Sequence, residues 1–283
     1  MILATLGDLV EDVIVRIDGP VNVASDTPAR ISRRRGGSAA NVAVAAAELG
    51  HPARFLGQVG SDAIGSAMLA EMAVDGVDVA MVHRAGSTGM VVALVDQTGE
   101  RSMLTDRRAC IDLSDPDPTW LDGVDILHVP FYSLATGAAA ATTTTVIGWA
   151  HARGIDVSID VSSSAVMLDM GLVRVRRLLA ELRPDVVLAN RDEAITLDID
   201  GPIGDAITIV KRGPDPAIVY SPTRDAVEVP GIAVADVDDT TGAGDAFAAG
   251  FLTHSSGWRS DPVAACASGH RCAAALLTRR AGR

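Results

Sequence analysis

The stretch with the clearest capacity for chemistry lies near the C-terminus, where residues 239 to 245 read Asp-Thr-Thr-Gly-Ala-Gly-Asp. Its two glycines leave little side chain over the backbone, so the amides of Gly242, Ala243 and Gly244 can converge on an anion at the start of a helix. Asp245 lies at the same helix start, where the helix dipole favours its ionised form and keeps it able to accept a proton. A base beside an anion site indicates phosphoryl transfer.

A structural explanation competes with this one, in which Thr240, Thr241 and Asp245 only cap a helix after a glycine turn. The elements along the rest of the chain favour a binding site. The hydrophobic pattern predicts strands at residues 2–6, 125–129, 156–160, 185–188 and 207–210, and helices at residues 138–152 and 172–182. This alternation predicts an α/β protein with a doubly wound, mostly parallel sheet flanked by helices.

Ligands in such a fold bind beyond the carboxyl ends of the strands. The residues that follow or end the predicted strands are Gly7 with Asp8, Asp160, Asn190 and the run from Lys211 to Gly213. The turn at residues 242–245 comes next in the sequence. These polar positions are therefore expected to share one edge of the sheet with the candidate base.

Composition excludes several classes of function. The chain has 283 residues, no linker and no internal repeat, which predicts a single domain over residues 1–283. A formal net charge of -12 argues against nucleic acid or an anionic membrane as a partner. The three cysteines lack metal-type spacing and are expected to be buried, reduced thiols, and the N-terminus lacks a signal peptide. A cytoplasmic protein is expected.

Three segments do not fit the α/β alternation. Residues 13–17 alternate between apolar and polar side chains, and residues 90–96 with 101–105 predict a hairpin around Thr98 and Gly99. They predict a small β-sheet lid, with strands roughly within residues 13–35 and 88–106, which would exclude water from the site. The alternative is that they are ordinary sheet edges. Between them, the sequence predicts an Ala-rich helix capped by Ser38, a strand at residues 55–59 and a helix at residues 64–74.

Four ordered motifs together resemble the ribokinase-like carbohydrate kinases, also called the phosphofructokinase B family. They are Gly36-Gly37 with Asn41, the run Gly-Gln-Val-Gly-Ser-Asp-Ala-Ile-Gly at residues 57–65, Asn190 with Glu193, and residues 239–245. The resemblance spans nearly the whole chain. It implies the ribokinase-like fold and an ATP-dependent transfer of the γ-phosphate to a primary hydroxyl of a sugar or nucleoside.

The resemblance also implies roles for individual residues. Asp245 matches the catalytic base, and Gly242, Ala243 and Gly244 match the anion hole that stabilises the transferring phosphoryl group. Asn190 and Glu193 match a motif that orients Mg²⁺ through its waters, and residues three apart on a helical turn do share a face. A helix start with an acidic first turn is the structural alternative for that pair.

Acceptor and nucleotide positions follow in the same way. Asp12, Gly36, Gly37 and Asn41 match the segment that holds the sugar hydroxyls. For the nucleotide, the matching positions are Lys211, Arg212 and Gly213 in a turn after a strand, and His270 where adenine contacts are expected. A lone histidine in an Ala-rich helix is more often structural.

The sequence departs from the family pattern at positions that concern the acceptor and the nucleotide turn. Val10 and Ser38 stand where true ribokinases have an Asn and a Lys, and Pro214 follows Gly213 in a turn that usually has a second glycine. Asp239 and Thr241 would supply part of a K⁺ site if one is present.

Alternatives remain open for acceptor, activity and assembly. A phosphosugar acceptor is one, since arginines near the predicted lid could pair with a sugar phosphate, although solvated surface arginines are the commoner explanation: Arg33, Arg34, Arg35, Arg101, Arg107 and Arg108. A non-catalytic sugar- or nucleotide-binding regulatory protein of the same fold is another. The lid residues Met90, Val92 and Leu94 could form a homodimer interface or cover the site in a monomer.

Overall fold

The computed structural model describes residues 1–235, 237 and 239–281. Its strands, in chain order, are β1 (Leu3–Leu6), β2 (Val10–Ile17), β3 (Ala29–Gly36), β4 (Ala53–Leu56), β5 (Gln58–Val59), β6 (Val77–Asp78), β7 (His83–Arg84), β8 (Gly89–Val95), β9 (Arg101–Asp106), β10 (Ile126–Pro130), β11 (Asp156–Asp160), β12 (Val186–Asn190), β13 (Ile207–Arg212), β14 (Asp215–Ser221) and β15 (Arg224–Val229). The helices are α1 (Ser38–Glu48), α2 (Ala63–Val74), α3 (Tyr132–Ala135), α4 (Gly137–Ala152), α5 (Ser164–Met170), α6 (Leu172–Leu182), α7 (Arg191–Leu197), α8 (Ala243–Leu252) and α9 (Pro262–Ala281). Two short 3-10 helices cover Arg108–Asp112 and Pro118–Leu121.

The central sheet has nine strands in the order β15-β14-β13-β12-β11-β10-β1-β4-β6. The pairings from β13 across to β6 are parallel, whereas β14 and β15 form an antiparallel edge. The prediction of a doubly wound, mostly parallel sheet is confirmed. The antiparallel strands β14 and β15 did not appear among the predicted elements: the apolar run of β14 spans only Ala217 to Tyr220, and β15 is exposed except at Val229.

Helices cover both faces of this sheet. In β12, Val186 and Leu188 pack into an apolar cluster with α1, α2, α8 and α9, whereas Val187 and Ala189 pack into a second cluster with α3 to α7. Successive strand residues point to opposite faces, so a strand that is apolar at every position is buried on both sides. The site at the sheet edge is therefore carried by a core that is packed on two sides.

Helix α8 is the most deeply buried of the site-bearing elements. All of its residues from Ala246 to Leu252 are buried, and it packs against α1 and α9. A helix that is apolar all round must lie inside the protein. Each large side chain buried here contributes about 1.5–3 kcal/mol to stability. The first turn of α8, which contains Asp245, is thereby held in a fixed position.

The lid is a separate four-stranded sheet in the order β3-β2-β8-β9. Asp12 is paired with Arg34 across β2 and β3, and Val95 is paired with Arg101 across β8 and β9. Side chains alternate between faces along each strand. Asp12, Arg34 and Arg101 consequently share one face of the lid, and Met90, Val92 and Leu94 share the opposite face. The homodimer through those three residues stays a prediction.

The motif at residues 57–65 joins the lid to the core. Asp62 caps α2 by accepting from the Gly65 amide at 2.8 Å, and it also accepts from the amide and hydroxyl of Thr88 at 2.8 and 2.6 Å. Hydrogen bonding from Thr88 and Gly65 lowers the pKa of Asp62 to about 2. This motif therefore fixes the entry to β8 rather than lining the site.

Three local expectations need correction. The strand predicted at residues 55–59 is interrupted at Gly57, where a Cβ would lie 2.5 Å from the Gly7 carbonyl oxygen. Ser38 does not cap α1, since Gly37 is the N-cap residue and makes no side-chain cap bond. All three cysteines are free thiols, and Cys272 is half-buried rather than buried.

Within the described residues, no helix is both long and apolar enough to span a membrane.

Candidate active site

The carboxyl ends of β11, β12 and β13 bring three predicted site residues together. Asp160 ends β11, Asn190 ends β12, and Lys211 is paired with Asn190 across β12 and β13. Parallel strands end at one edge of a sheet, and the first turn of α8 lies against the same edge through the approach of Lys211 to Gly244. These positions therefore lie together at one edge of the sheet, as the sequence predicted.

Asp245 is held by two donors from the first turn of α1. Ser38 Oγ donates to its Oδ1 at 2.6 Å, and Asn41 Nδ2 donates to its Oδ2 at 2.9 Å. Ser38, expected to cap α1, thus orients the carboxylate instead. Burial raises the pKa of Asp245 to about 6, although both hydrogen bonds work in the opposite direction. Above that pH, the group is a carboxylate that can accept a proton.

The backbone before Asp245 has the shape expected of an anion site. Gly242 is the N-cap residue of α8 at φ 78°, a left-handed conformation that favours glycine. Among the described residues, the amides of Gly242 and Gly244 have no backbone hydrogen-bond partner, whereas the Ala243 amide donates to the Thr240 carbonyl at 3.1 Å. Two of the three predicted amides are therefore available, and the third is engaged within the turn.

Lys211 is the only lysine in the chain, and its side chain lies at the polar end of the site. Its Nζ donates to Asp160 Oδ2 at 2.5 Å and lies 3.5 Å from where a Cβ on Gly244 would stand. Burial opposes the charge of Lys211, but the carboxylates of Asp160 and Glu193 outweigh it and raise the lysine pKa. The ammonium group therefore faces the predicted anion site, not only the nucleotide turn to which the sequence assigned it.

Asn190 and Glu193 form a reciprocal capping box at the start of α7. The Glu193 amide donates to Asn190 Oδ1 at 2.9 Å, and the Asn190 amide donates to Glu193 Oε2 at 2.7 Å. The structural alternative for this pair is thus realised, yet both side chains also line the cavity. Burial and the nearby charge of Asp160 raise the pKa of Glu193 to about 7. An added cation would relieve this crowding of carboxylates.

A cavity of about 620 Å³ connects these groups. One part is polar, with Asp160, Lys211 and Asp245, and the rest is lined mainly by apolar side chains: Ile232, Val234, Val237, Phe247, Ala273, Ala274 and Leu277. Most small-molecule sites combine an apolar wall with a few polar groups in this way. The arrangement suits a ligand with a flat apolar end and an anionic end.

His270 and Gly213 lie on the wall of the same cavity. The His270 ring contacts Phe247 edge to face at 5.2 Å, and its Nε2 is buried with no hydrogen-bond partner among the described residues. Burial lowers the pKa of His270, so the ring is neutral near pH 7. Gly213 turns the chain at φ 63° after β13. Both positions can contact a bound nucleotide.

On the lid side, two glycines let Asp12 and the start of α1 approach each other. A Cβ on Gly36 would lie 2.2 Å from Asp12 Oδ1, and one on Gly37, at φ 99°, would lie 2.1 Å from the Asp8 carbonyl oxygen. Burial raises the pKa of Asp12, while the neighbouring Arg34 opposes the rise. Asp12 therefore lies against Gly36, and the following residue, Gly37, is the N-cap of α1, the helix whose Asn41 binds Asp245.

Three arginines converge on Asp239, and we call them the arginine cluster: Arg34, Arg101 and Arg280. Arg34 and Arg280 contact its Oδ2 at 2.8 and 3.3 Å, and Arg101 contacts Oδ1 at 2.9 Å. Arg101 also donates to the Thr241 hydroxyl at 2.5 Å. Burial opposes ionisation of Asp239, but hydrogen bonds from Thr241 and Arg34 outweigh it and lower the pKa.

The other lid arginines singled out in the sequence point elsewhere. Arg33 pairs with Glu11 on the opposite face of the lid, Arg35 with Glu71, Arg107 with Asp8 and Arg108 with Asp106. Arg280, which sequence analysis did not single out, comes from the end of α9. No local motif marks it, because its place beside Asp239 depends on how α9 packs.

Comparison with known proteins decides the family. The model of the pfkB family carbohydrate kinases matches residues 3–283. This chain belongs to that family. An ATP-dependent ribose-1-phosphate kinase from Halopiger xanaduensis is 34% identical in an alignment of 254 residues that covers 85% of this chain and 80% of that protein. The pfkB family assignment makes the protein an ATP-dependent carbohydrate kinase.

Solved structures agree with this pfkB assignment. Adenosine kinase from Sinorhizobium meliloti superposes with a TM-score of 0.81 at 25% identity, covering 98% of this chain and 93% of that one. Fructokinase from Halothermothrix orenii has the same fold, with a TM-score of 0.78 at 22% identity and coverage of 96% and 98%. The central sheet and the separate small sheet are thus shared with known sugar and nucleoside kinases.

Proposed function

We propose that this kinase transfers the γ-phosphate of ATP to a primary hydroxyl of a sugar or nucleoside, with Asp245 as the general base. The observation that carries this proposal is the Asp245 carboxylate, which Ser38 and Asn41 hold beside the glycine turn at the start of α8. The acceptor oxygen would lose its proton to Asp245 as it forms a bond to the γ-phosphorus. The bond from that phosphorus to the bridging oxygen breaks, and ADP leaves.

We call the polar part of the cavity, where the phosphates of ATP would lie, the donor end. Few groups there can stabilise negative charge. The amides of Gly242 and Gly244 and the Lys211 ammonium would face the phosphoryl oxygens, on which negative charge accumulates in the transition state. Forming this contact would draw Lys211 away from Asp160. The apolar wall with His270 would hold the adenine ring.

Magnesium fits the same end of the cavity. Within the described part of the chain, no three Asp, Glu, His or Cys side chains gather as a metal-binding group. Mg²⁺ does not need such a group, because it keeps several waters and binds through one or two carboxylates and the substrate phosphates. Asp160 and Glu193 are the carboxylates that would hold it through water, and Asn190 orients Glu193. The ion would neutralise charge on the β- and γ-phosphates.

Potassium fits less well. Both oxygens of Asp239 accept hydrogen bonds from arginines of the arginine cluster, and Thr241 Oγ1 accepts from Arg101. The three guanidinium groups that contact Asp239 would repel a further cation. We therefore expect catalysis without a K⁺ ion at Asp239.

The acceptor is either an unphosphorylated sugar or nucleoside, or a phosphosugar. Asp12 and Asn41 suit paired sugar hydroxyls in either case. The printed name of the Halopiger relative favours a sugar phosphate, and so does the placement of Arg34 and Arg101 on the same lid face as Asp12.

The test is the Asp245→Asn variant, assayed for ADP release with ATP, Mg²⁺ and a panel of pentoses, their 1-phosphates, hexoses, hexose phosphates and nucleosides. Loss of the base should lower kcat by roughly 10²- to 10⁴-fold and leave ATP affinity within about threefold. Asp225→Asn, on the exposed edge of β15, is the matched control and should behave as the unmodified enzyme. Undiminished turnover of Asp245→Asn would remove Asp245 as the base. ATP binding without turnover on any acceptor would favour the regulatory alternative.

A further inference from the structure

The arginine cluster has no part in proton transfer at Asp245. Its three guanidinium groups come from β3, β9 and α9, and all contact Asp239. The chain as a whole carries a formal net charge of -12, with 24 basic against 36 acidic residues. A convergence of three arginines in such a chain requires a specific cause, because like charges repel when they are brought together.

The repulsion is visible at Arg280. Burial lowers the pKa of Arg280, and the charges of Arg34 and Arg101 lower it further. The charges of Asp239 and Asp245 oppose this change. Among the described residues, Asp239 is the carboxylate that all three guanidinium groups contact, and Arg34 also lies 3.6 Å from Asp12. An additional anion beside them would reduce this cost.

The guanidinium groups are also reachable. The side chains of Arg34, Arg101 and Arg280 are 29%, 28% and 28% exposed. A gap of about 30 Å³ separates the lid from Asp239 and Thr241, and Thr241 also lines the large cavity. The cluster thus borders the site, and an anion would bind on the open side of the guanidinium groups, because the gap itself has room for about one water.

We propose that the arginine cluster binds the phosphate of a phosphorylated sugar acceptor while the free primary hydroxyl of that sugar faces Asp245. A phosphomonoester brings about two negative charges and oxygens that accept paired hydrogen bonds from arginine, whereas a sugar carboxylate brings one charge. This inference rests on the proposed kinase function and specifies its acceptor. The acceptor phosphate takes no part in bond making or breaking.

The contacts between the two ends fit a sugar of this kind. Arg34 lies 3.6 Å from Asp12, Asp12 lies against Gly36, and Asn41 binds Asp245. A pentose 1-phosphate presents its phosphate and its 5-hydroxyl at opposite ends of one ring. Its ring hydroxyls would then meet Asp12 and Asn41.

The cluster also connects the lid to the core. Arg34 and Arg101 belong to the lid, whereas Arg280 belongs to the core helix α9 and donates to the Thr241 carbonyl oxygen. A phosphate held by all three would keep the lid closed over the acceptor. Closure excludes water, which otherwise competes for the phosphoryl group.

The decisive quantity is the ratio of kcat/KM for ribose 1-phosphate to kcat/KM for ribose. We expect this ratio to be large in the unmodified enzyme and to fall about 10- to 100-fold in each of Arg34→Gln, Arg101→Gln and Arg280→Gln. Arg33→Gln is the matched control, since Arg33 neighbours Arg34 in sequence but pairs with Glu11 on the opposite lid face. Its ratio should stay within about twofold of the unmodified value.

A binding measurement separates this inference from the kinase assignment. Calorimetry of ribose 1-phosphate with Asp245→Asn should show binding that is lost when Arg101→Gln is added, and melting curves should confirm that each variant folds. Arg101→Lys keeps the charge without the paired donors and should give an intermediate ratio. Equal use of ribose, adenosine and ribose 1-phosphate would overturn the phosphate site but leave the kinase intact, and preference for ribonate would replace phosphate by carboxylate. Binding of ribose 1-phosphate to the unmodified enzyme, with no transfer to any acceptor of the panel, would overturn the proposed phosphoryl transfer but leave the phosphate site.

Discussion

Two charged regions lie on either side of the proposed acceptor site, and they differ in the sign of the charge that predominates. At the donor end, the carboxylates of Asp160, Glu193 and Asp245 surround one ammonium group, that of Lys211. At the lid, three guanidinium groups contact the carboxylate of Asp239, and Arg34 also lies 3.6 Å from Asp12. Among the described residues, carboxylates therefore outnumber cations in the first region, and guanidinium groups outnumber carboxylates in the second.

This difference shows how a protein with a net negative charge can bind anionic ligands at two places. ATP arrives with Mg²⁺, so the donor end needs carboxylates for the hydrated ion together with amides and one ammonium group for the phosphates. A sugar phosphate would arrive without a metal ion, so the lid must supply all of the countercharge itself.

Among the described residues, Lys211 is the only cation that lines the donor end, and its removal should have the largest effect. Lys211→Met is expected to lower kcat about 10²- to 10³-fold, because a positioned donor to the transferring phosphoryl group is lost from a buried site. Steady-state kinetics on the best acceptor measures the effect. Arg224→Met, at an exposed position on the edge strand β15, is the control and should lose less than about threefold. Similar losses in both variants would contradict the role given to Lys211.

A substitution at Gly37 should disturb both regions together, because α1 carries the donors to Asp245 and its start lies against the lid. Gly37→Ala adds a Cβ 2.1 Å from the Asp8 carbonyl oxygen at φ 99°. Gly50→Ala is the matched control at φ 83°, with no atom within 4 Å of the added Cβ. We expect Gly50→Ala to lower the free energy of unfolding by about 1 kcal/mol, and Gly37→Ala to lower it by at least about 1 kcal/mol more and turnover by at least about tenfold. Equal denaturant midpoints for the two variants would contradict this.

The pH profile should distinguish the donor end from the lid. Because burial raises the pKa of Asp245 to about 6, kcat/KM should fall as the pH drops below 6 and be flat above it. Ser38→Ala removes a hydrogen bond that lowers this pKa, so the inflection should move to higher pH, and the loss in kcat/KM should grow as the pH falls and level off at about tenfold below pH 6. Ser256→Ala, in an exposed loop, should leave the profile unchanged. An inflection that ignores Ser38 would assign it to another group.

Potassium should have the smallest effect. Since guanidinium groups occupy Asp239, replacing K⁺ by Na⁺ at constant ionic strength should change kcat by less than about twofold. Assays in tetramethylammonium chloride provide the cation-free reference. A strong and saturable activation by K⁺ would show that the cation and not the arginine cluster governs this region.

The sequence predicted most of the site because its residues lie in short, ordered motifs. The glycine turn before Asp245, the pair Asn190 and Glu193, and the strand ends at Asp160 and Lys211 were all expected at one edge of the sheet, and they lie there. The direction of individual side chains was harder to predict. Ser38 was expected to cap α1 and instead orients Asp245, because the bond depends on how α1 packs against α8.

The arginines show most clearly which features of the site could not be predicted from the sequence. Six were singled out near the lid, and two of them, Arg34 and Arg101, reach the site-facing side. A strand places neighbouring residues on opposite faces, but the sequence does not say which face meets the ligand. Arg280 was missed because it is distant in the chain from everything that it contacts.

The fold class, the order of the motifs and the types of polar residue at the edge of the sheet could be predicted from the sequence, since hydrophobic periodicity and glycine conformation act locally. The tertiary structure was needed to show that Ser38 binds Asp245, that Lys211 faces the start of α8, and that Arg280 of α9 joins two lid arginines at Asp239. Those contacts depend on the packing of elements that are far apart in the chain, and local sequence patterns do not give the distances between such elements.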